Sequence, residues 1–195
     1  MEYTVTNTDD FIWRLVKGCI QLGLVPDINN SINMVPVDHV AQIISTATVS
    51  PLTEPNRTVL HVSATPPPSY KVLFSALSTH GWKVDECEYL NWRGKLEQHV
   101  LENNDNALFP LLHFVLDDLP TSTKAPELNN ANTALLLSSQ GYEAHATVTP
   151  DLTGLYLSWL VNTGFLPHPS HETAVKPLPK ISDDFRGRAV NRTGV

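Results

Sequence analysis

Only two cysteines occur in the 195 residues, Cys19 and Cys87, and neither lies in a CxxC pair. A disulfide framework is thereby excluded, and both read as reduced, structural thiols. Basic residues are scarce as well: 13 Lys and Arg stand against 20 Asp and Glu, a formal charge of -7 with a pI near 5.5. That sign argues against nucleic acid or an anionic membrane as the main partner, since both are themselves negative. Long apolar runs are missing. The longest, 108–116, is interrupted by Pro110 and His113, whereas crossing a bilayer takes about 20 apolar residues. The N-terminus MEYTVTNTDD has neither the basic nor the apolar region of a signal peptide. The expectation is a soluble, cytoplasmic protein, in which the sequons at Asn29, Asn56 and Asn191 are chance matches.

No two of the nine glycines are close enough to form a dinucleotide-binding turn. They fall at 18, 23, 81, 94, 141, 154, 164, 187 and 194, so G-x-G-x-x-G, a Walker loop and a G-x-S-x-G elbow are all absent. A Tyr-x-x-x-Lys pair would set an ammonium beside a phenol and lower its pKa for proton transfer. Yet Tyr3, Tyr70, Tyr89, Tyr142 and Tyr156 are followed four residues later by Asn7, Phe74, Arg93, Ala146 and Leu160. No catalytic and no cofactor-binding residue is therefore assigned.

What is present is enough for a folded domain: 42% of residues are hydrophobic. The spacing predicts a helix from Thr8 as cap to Gly23, with Phe11, Ile12, Leu15, Val16, Cys19 and Ile20 inward. An extended piece at 32–37 leads to a helix capped by Asp38 that carries Val40, Ala41, Ile43 and Ile44. Residues 58–62 have the compact apolar character of a buried strand. A helix capped by Ser69 carries Tyr70, Leu73, Phe74 and Leu77 to Gly81, and 82–89 reads as a strand. Helix alternating with strand implies an α/β fold with parallel pairing.

Beyond residue 90 the strands stop. Trp92, Leu96 and Val100 mark one helix, 108–119 a helix apolar nearly all round, and 132–140 a third. Thr149, Pro150 and Asp151 open the last, with Leu152, Leu155, Tyr156, Trp159 and Leu160 as its buried stripe and Gly164 at its end. From Pro167 onward, proline, serine and charge predict a mostly disordered tail. His168 and His171 form an H-x-x-H pair within it, too few ligands for a metal site, so none is expected. His113 reads as a satisfied core histidine, and Asp117 with Asp118 as a solvated helix end. The four tryptophans fall in apolar patterns and read as core.

Several long segments carry a family resemblance. They are Asn7-Thr8-Asp9-Asp10-Phe11, Asn33 through Ala41, and the run Asn106 through Pro120 followed by Ser122-Thr123-Lys124 and Pro126-Glu127-Leu128. Gly164 through Pro167 and Leu178 through Ile181 continue it. The V-P-V-D-x-V-A piece is only a weak marker of extended short-chain dehydrogenases, whereas 106–133 is specific. Over about residues 5–181 the chain resembles the C-terminal part of the thioester reductase domain of the fungal α-aminoadipate reductases.

That resemblance implies a Rossmann-like core over 1–89, represented by two or three strands of its parallel sheet, a helical substrate lobe over 90–166 and a tail over 167–195. It implies NADPH as reductant, an aminoadipyl thioester on a phosphopantetheine arm as substrate, and the semialdehyde of lysine biosynthesis as product. The expected partners are the N-terminal half of the reductase domain, which carries the nucleotide loop and catalytic Tyr and Lys, and a peptidyl carrier domain. Alone, the chain is then expected to be inactive. Asn7, Thr8, Asn33, Met34 and Val35 are the substrate-contact candidates, since ligands bind outside the carboxyl ends of parallel strands. Thr8 also fits a helix cap, and Met34 and Val35 core positions. A non-catalytic module that docks a carrier protein is the alternative reading.

Overall fold

In a computed structural model the chain is mixed α/β, and residues 7–50, 59–102, 105–170, 172 and 174–181 are described. The elements are α1 (Phe11–Leu22), β1 (Leu24–Pro26), α2 (Val37–Val49), α3 (Tyr70–His80), β2 (Asp85–Cys87) and α4 (Tyr89–Glu102). A 3-10 turn (Phe109–Leu111) then enters α5 (Leu112–Ser122), and α6 (Ala131–Ser139) and α7 (Pro150–Asn162) complete the order. Two compact units share these elements, and both are discontinuous in sequence. One comprises Met1–Asn29, Lys71–Ser122 and Pro150–Val195, the other Asn30–Tyr70 and Thr123–Thr149. The sequence reading drew its boundaries at 89/90 and 166/167 instead.

The larger unit holds the sheet. β1 and β2 pair in parallel, Leu24 opposite Asp85, Val25 opposite Glu86 and Pro26 opposite Cys87. α1 begins differently from expectation: the cap is Asp10, whose Oδ1 accepts the Ile12 N–H at 2.9 Å, while Thr8 is buried. Its far end is as expected, Gly23 taking the left-handed conformation at φ 73°. Trp92 on α4 is fully buried, and its Nε1 donates to the Leu24 carbonyl at 3.1 Å, which ties helix to strand. Leu96 and Val100 continue that buried stripe.

The strand expected over 82–89 contracts to three residues, because Trp82 is buried and donates to the Pro167 carbonyl while Tyr89 already opens α4. α5 is not apolar all round in its surroundings. Leu108, Val115 and Leu119 are buried, whereas Phe109 and His113 are exposed, so His113 is no core histidine.

Described residues of 167–170 and 174–181 are bonded to this unit, in the stretch where composition predicts a loose tail. Ser170 N donates to the Gly81 carbonyl, Val175 and Lys176 N–H groups to the Thr79 carbonyl, and Ser158 Oγ to the Pro179 carbonyl. His80, itself buried, meets the Lys176 carbonyl through Nδ1 at 2.9 Å. Proline and serine here suit a strap fixed by backbone carbonyls, a role that composition cannot distinguish from disorder. His171 and the residues from 182 onward lie outside the described residues.

In the smaller unit α2 starts after Pro36 with no side-chain cap, and Asp38 lies in its first turn with Oδ1 on the His39 N–H. The helix buries His39, Ile43 and Thr46 and leaves Ile44 exposed. The strand expected at 58–62 is not formed over the described residues 59–62, and Thr58 lies outside them. Side chains of α6 take its carbonyls instead: Asn132 Nδ2 donates to Val59 and Thr133 Oγ1 to His61. Val59 is left exposed, which a central strand would not allow.

Candidate functional site

The smaller unit contains a cavity of about 340 Å³ lined by three separate stretches, 31–33, 63–67 and 125–130. The first is held by backbone pairing: Ser31 and Ser69 form an antiparallel bridge, Ile32 N donates to the Pro68 carbonyl at 2.7 Å, and Tyr70 N to the Asn30 carbonyl at 3.1 Å. Met34 N reaches back to the Ile32 carbonyl at 3.0 Å, a three-residue turn that places Asn33 at its tip. The second stretch is fixed at Thr65, whose N donates to the Ala146 carbonyl and whose Oγ1 accepts Asn130 Nδ2, both at 2.9 Å. The third enters α6, where Asn129 Oδ1 accepts the Ala131 N–H. His61 Nδ1 meets the Asn129 carbonyl, and Asn30 Nδ2 donates to Thr123 Oγ1, so both ends of the third stretch are anchored.

The chemistry of the lining is polar and lacks any cation. Ser31, Asn33, Ser63, Thr65, Glu127 and Asn130 face the cavity beside Ile32, Ala64, Pro67, Pro126 and Leu128. Of the expected site residues, Asn33 lies in this lining and is exposed, with Met34 and Val35 half-buried just beyond. Asn7 and Thr8 belong to the larger unit. Asn7 is exposed and its Oδ1 accepts the Asp9 N–H at 3.0 Å, whereas Thr8 is buried. Ser63, Thr65, Glu127 and Asn130 escaped sequence reasoning, although Glu127 stands within the Pro126-Glu127-Leu128 resemblance.

A second cavity, about 280 Å³, lies in the larger unit among Lys71, Ser75, Thr79, His80, Thr153 and Lys176. Its cations are already engaged, Lys71 with Asp27 and Glu86, Lys176 with Asp151 at 2.7 Å. The Lys176 hydrogen bond and charge hold the Asp151 carboxyl below the ordinary aspartate value. Burial pushes the Cys19 thiol up, and burial also raises Cys87, against a lowering influence of Lys95. Both are free thiols, which suits a structural role. Among the described residues, no group of three or more His, Cys, Asp or Glu side chains could hold a metal ion. None of their helices is long and apolar enough to cross a membrane.

Among the described residues, no dinucleotide cradle forms beside β1. Gly18 and Gly23 precede β1 in sequence, and each is committed elsewhere. Gly23 ends α1, and Gly18 lies so close to Leu108 that a Cβ there would be 2.6 Å from Leu108 Cγ.

Comparison with known proteins defines first a class. Residues 2–44 match the NAD-binding family model described as male sterility protein. The fold is similar to the terminal R domain of the myxalamid PKS-NRPS pathway, with a TM-score of 0.66 at 23% identity over 85% of this chain and 43% of that one. A thiolation-reductase di-domain from an archaeal non-ribosomal peptide synthetase gives 0.63 at 18% identity over 82% of this chain and 32% of its own. This is the α/β fold of terminal reductase domains.

Sequence then narrows the class. The chain is 46% identical over 184 residues to L-2-aminoadipate reductase of Schizosaccharomyces pombe, covering 91% of this chain and 13% of that protein. It is 49% identical over 194 residues to the L-2-aminoadipate reductase large subunit of Penicillium chrysogenum, covering 92% and 14%. The chain is related to the fungal L-2-aminoadipate reductases along about nine tenths of its length. It spans only about one seventh of theirs.

Proposed function

We propose that this chain supplies the substrate-side portion of an NADPH-dependent thioester reductase that converts a carrier-bound aminoadipyl thioester to the semialdehyde in lysine biosynthesis. The observation that supports it most is the 49% identity to a protein named for that acyl group, sustained over 92% of the chain. In this reading residues 1–89 contribute to the Rossmann-like core and 90–166 to the substrate lobe. Asn7, Asn33, Met34 and Val35 are taken as the contacts of the acyl group, whereas Thr8, which is buried, is taken as structural. The phosphopantetheine arm comes from a peptidyl carrier domain, and the N-terminal half of the reductase domain provides the grip on NADPH.

Hydride transfer requires the nicotinamide to be held against the carbonyl carbon and a donor placed to stabilise the developing oxyanion. These 195 residues contain neither a glycine-rich turn nor a Tyr-x-x-x-Lys pair. The isolated chain is therefore expected to bind NADPH weakly and to leave it unoxidised.

The test is decay of NADPH absorbance with an aminoadipyl thioester, for the chain alone and for its fusion to the N-terminal half of a related reductase domain. Turnover is expected from the fusion only. Turnover by the lone chain would overturn the proposal. A folded but inactive fusion would favour the carrier-docking module.

A further inference from the structure

Glu127 stands out among the groups lining the smaller unit's cavity, because its carboxylate has no ion-pair or hydrogen-bond partner among the described residues and no cation shares the lining. Asn33, Ser31 and Ser63 likewise offer side-chain polar atoms that are not used within the described protein. Thr65 and Asn130, by contrast, bond to each other and fix the wall. A cavity near 340 Å³ is at the lower end of the range for small-molecule sites, roughly 300–1,000 Å³. Its volume fits one short acyl chain and not a nucleotide together with a substrate.

The chemistry of this lining selects its ligand. A single carboxylate among amides and hydroxyls is too little for a divalent cation, which takes about six to eight oxygen ligands, several of them charged. Phosphate or a bare carboxylate would meet one negative charge and no positive one. A primary ammonium meets the opposite: a carboxylate to receive it with a charge-assisted hydrogen bond. Amide and hydroxyl donors from Asn33, Ser31 and Ser63 then remain for a neighbouring carboxylate on the same ligand. That pairing of groups is the head of a free 2-amino acid.

We propose that this cavity holds the 2-amino acid end of the acyl substrate, with Glu127 accepting its ammonium. The inference rests on the substrate-side reading given above and adds to it a specificity-determining residue. Glu127 is solvent-exposed at the rim, so water screens the pair and the discrimination it provides is modest, about two- to fivefold.

The experiment titrates the 195-residue chain with the δ-methyl ester of L-2-aminoadipate and with monomethyl adipate, which keeps the chain and carboxylate but lacks the amine. Amide resonances are followed by NMR. The amino ester is expected to bind about two- to fivefold more tightly, with shifts at 31–33, 63–65 and 127–130. Glu127→Gln should erase the preference and leave monomethyl adipate unchanged, and Glu127→Asp should keep part of it. Equal binding of the two esters, or a preference that survives in E127Q, overturns the role of Glu127. The substrate-side reading then stands if Asn33→Ala still weakens both esters. If neither ester shifts these resonances, the cavity assignment falls. The reading itself falls with it only if Asn33→Ala also leaves thioester turnover by the fused enzyme untouched.

Discussion

Asn106 and Gly18 are locked together: Asn106 Nδ2 donates to the Gly18 carbonyl at 3.3 Å, and its Oδ1 accepts the Leu108 N–H at 2.9 Å. Asn106 is only 2% exposed, and it joins the start of the 3-10 turn before α5 to the middle of α1. A Cβ at position 18 would lie 2.6 Å from Leu108 Cγ and 2.9 Å from Asn106 Oδ1, both on buried side chains. Gly18→Ala gains about 1 kcal/mol of helix propensity, but overpacking a filled site costs about 1–3 kcal/mol. A net loss of stability is expected, read as a lower midpoint in urea. Asn106→Ala should cost about 1–3 kcal/mol, because it strands the Gly18 carbonyl and the Leu108 N–H.

Trp159 is only 5% exposed, and its Nε1 alone, among the buried side-chain nitrogen and oxygen atoms of the described residues, has no hydrogen-bond partner. Two substitutions separate its contributions. Trp159→Ala removes a large buried ring and should cost about 3–5 kcal/mol. Trp159→Phe keeps much of the apolar volume and discards a donor whose unpaired burial costs about 1–3 kcal/mol. The Phe variant should therefore melt close to the parent, and the Ala variant far below it. Equal losses in the two would mean that the indole N–H is satisfied.

α4 and α7 show why one helix face was legible and the other was not. On α4 the apolar residues Trp92, Leu96 and Val100 stand among charges, so periodicity finds the buried stripe directly. On α7 the buried positions include Thr153, Gly154 and Ser158, while Leu155 is 43% exposed. The cause is the strap: Pro179 lies 3.3 Å from where a Cβ on Gly154 would be, and its carbonyl accepts Ser158 Oγ. Small polar residues are inward because a backbone passes over them, and a hydrophobic pattern carries no sign of that. Likewise β1, three residues between Gly23 and Asp27, is too short to register as a strand until β2 is placed beside it.

The candidate cavity was legible at one residue, Asn33, through resemblance. Glu127 and Ser63 were not, because the lining is assembled from stretches about 30 and 60 residues apart. Those stretches meet only through bonds such as Asn130 to Thr65 and Thr133 to the His61 carbonyl.

The strap carries one acid-sensitive contact, Lys176 to Asp151. Asp151 is held below its ordinary value first by the Lys176 hydrogen bond and then by its charge. A carboxylate depressed in the folded state adds stability above its unfolded pKa, and that stability disappears as pH falls through the folded pKa. The pair is exposed, so the effect on global melting should be slight. Carbon-13 titration is the direct measurement. The Asp151 carboxyl should titrate below the usual aspartate range in the parent and return to it in Lys176→Met. An unchanged titration in that variant would show that the ion pair does not form in solution.

Asn33 and Thr8 allow a substrate role to be separated from a structural one. Asn33 is exposed at the tip of its turn, and its side chain bonds to nothing within the described residues. Removing it should change stability by less than about 0.5 kcal/mol, as for other surface positions. Thr8 is 1% exposed, and deleting buried atoms there opens a void, so Thr8→Ala should cost about 1–2 kcal/mol. Asn7 falls between them, since its Oδ1 accepts the Asp9 N–H and Asn7→Ala forfeits that turn at a cost of about 0.5–1 kcal/mol. In the fused enzyme the order should differ. Asn33→Ala and Asn7→Ala should lower kcat/KM for the thioester with NADPH affinity nearly unchanged. A merely structural loss at Thr8 should instead lower the amount of folded enzyme without altering kcat/KM per folded molecule. Melting curves and kinetics on the same three variants decide it: a loss of kcat/KM at Asn33 accompanied by an equal loss of melting temperature would remove Asn33 from the substrate path.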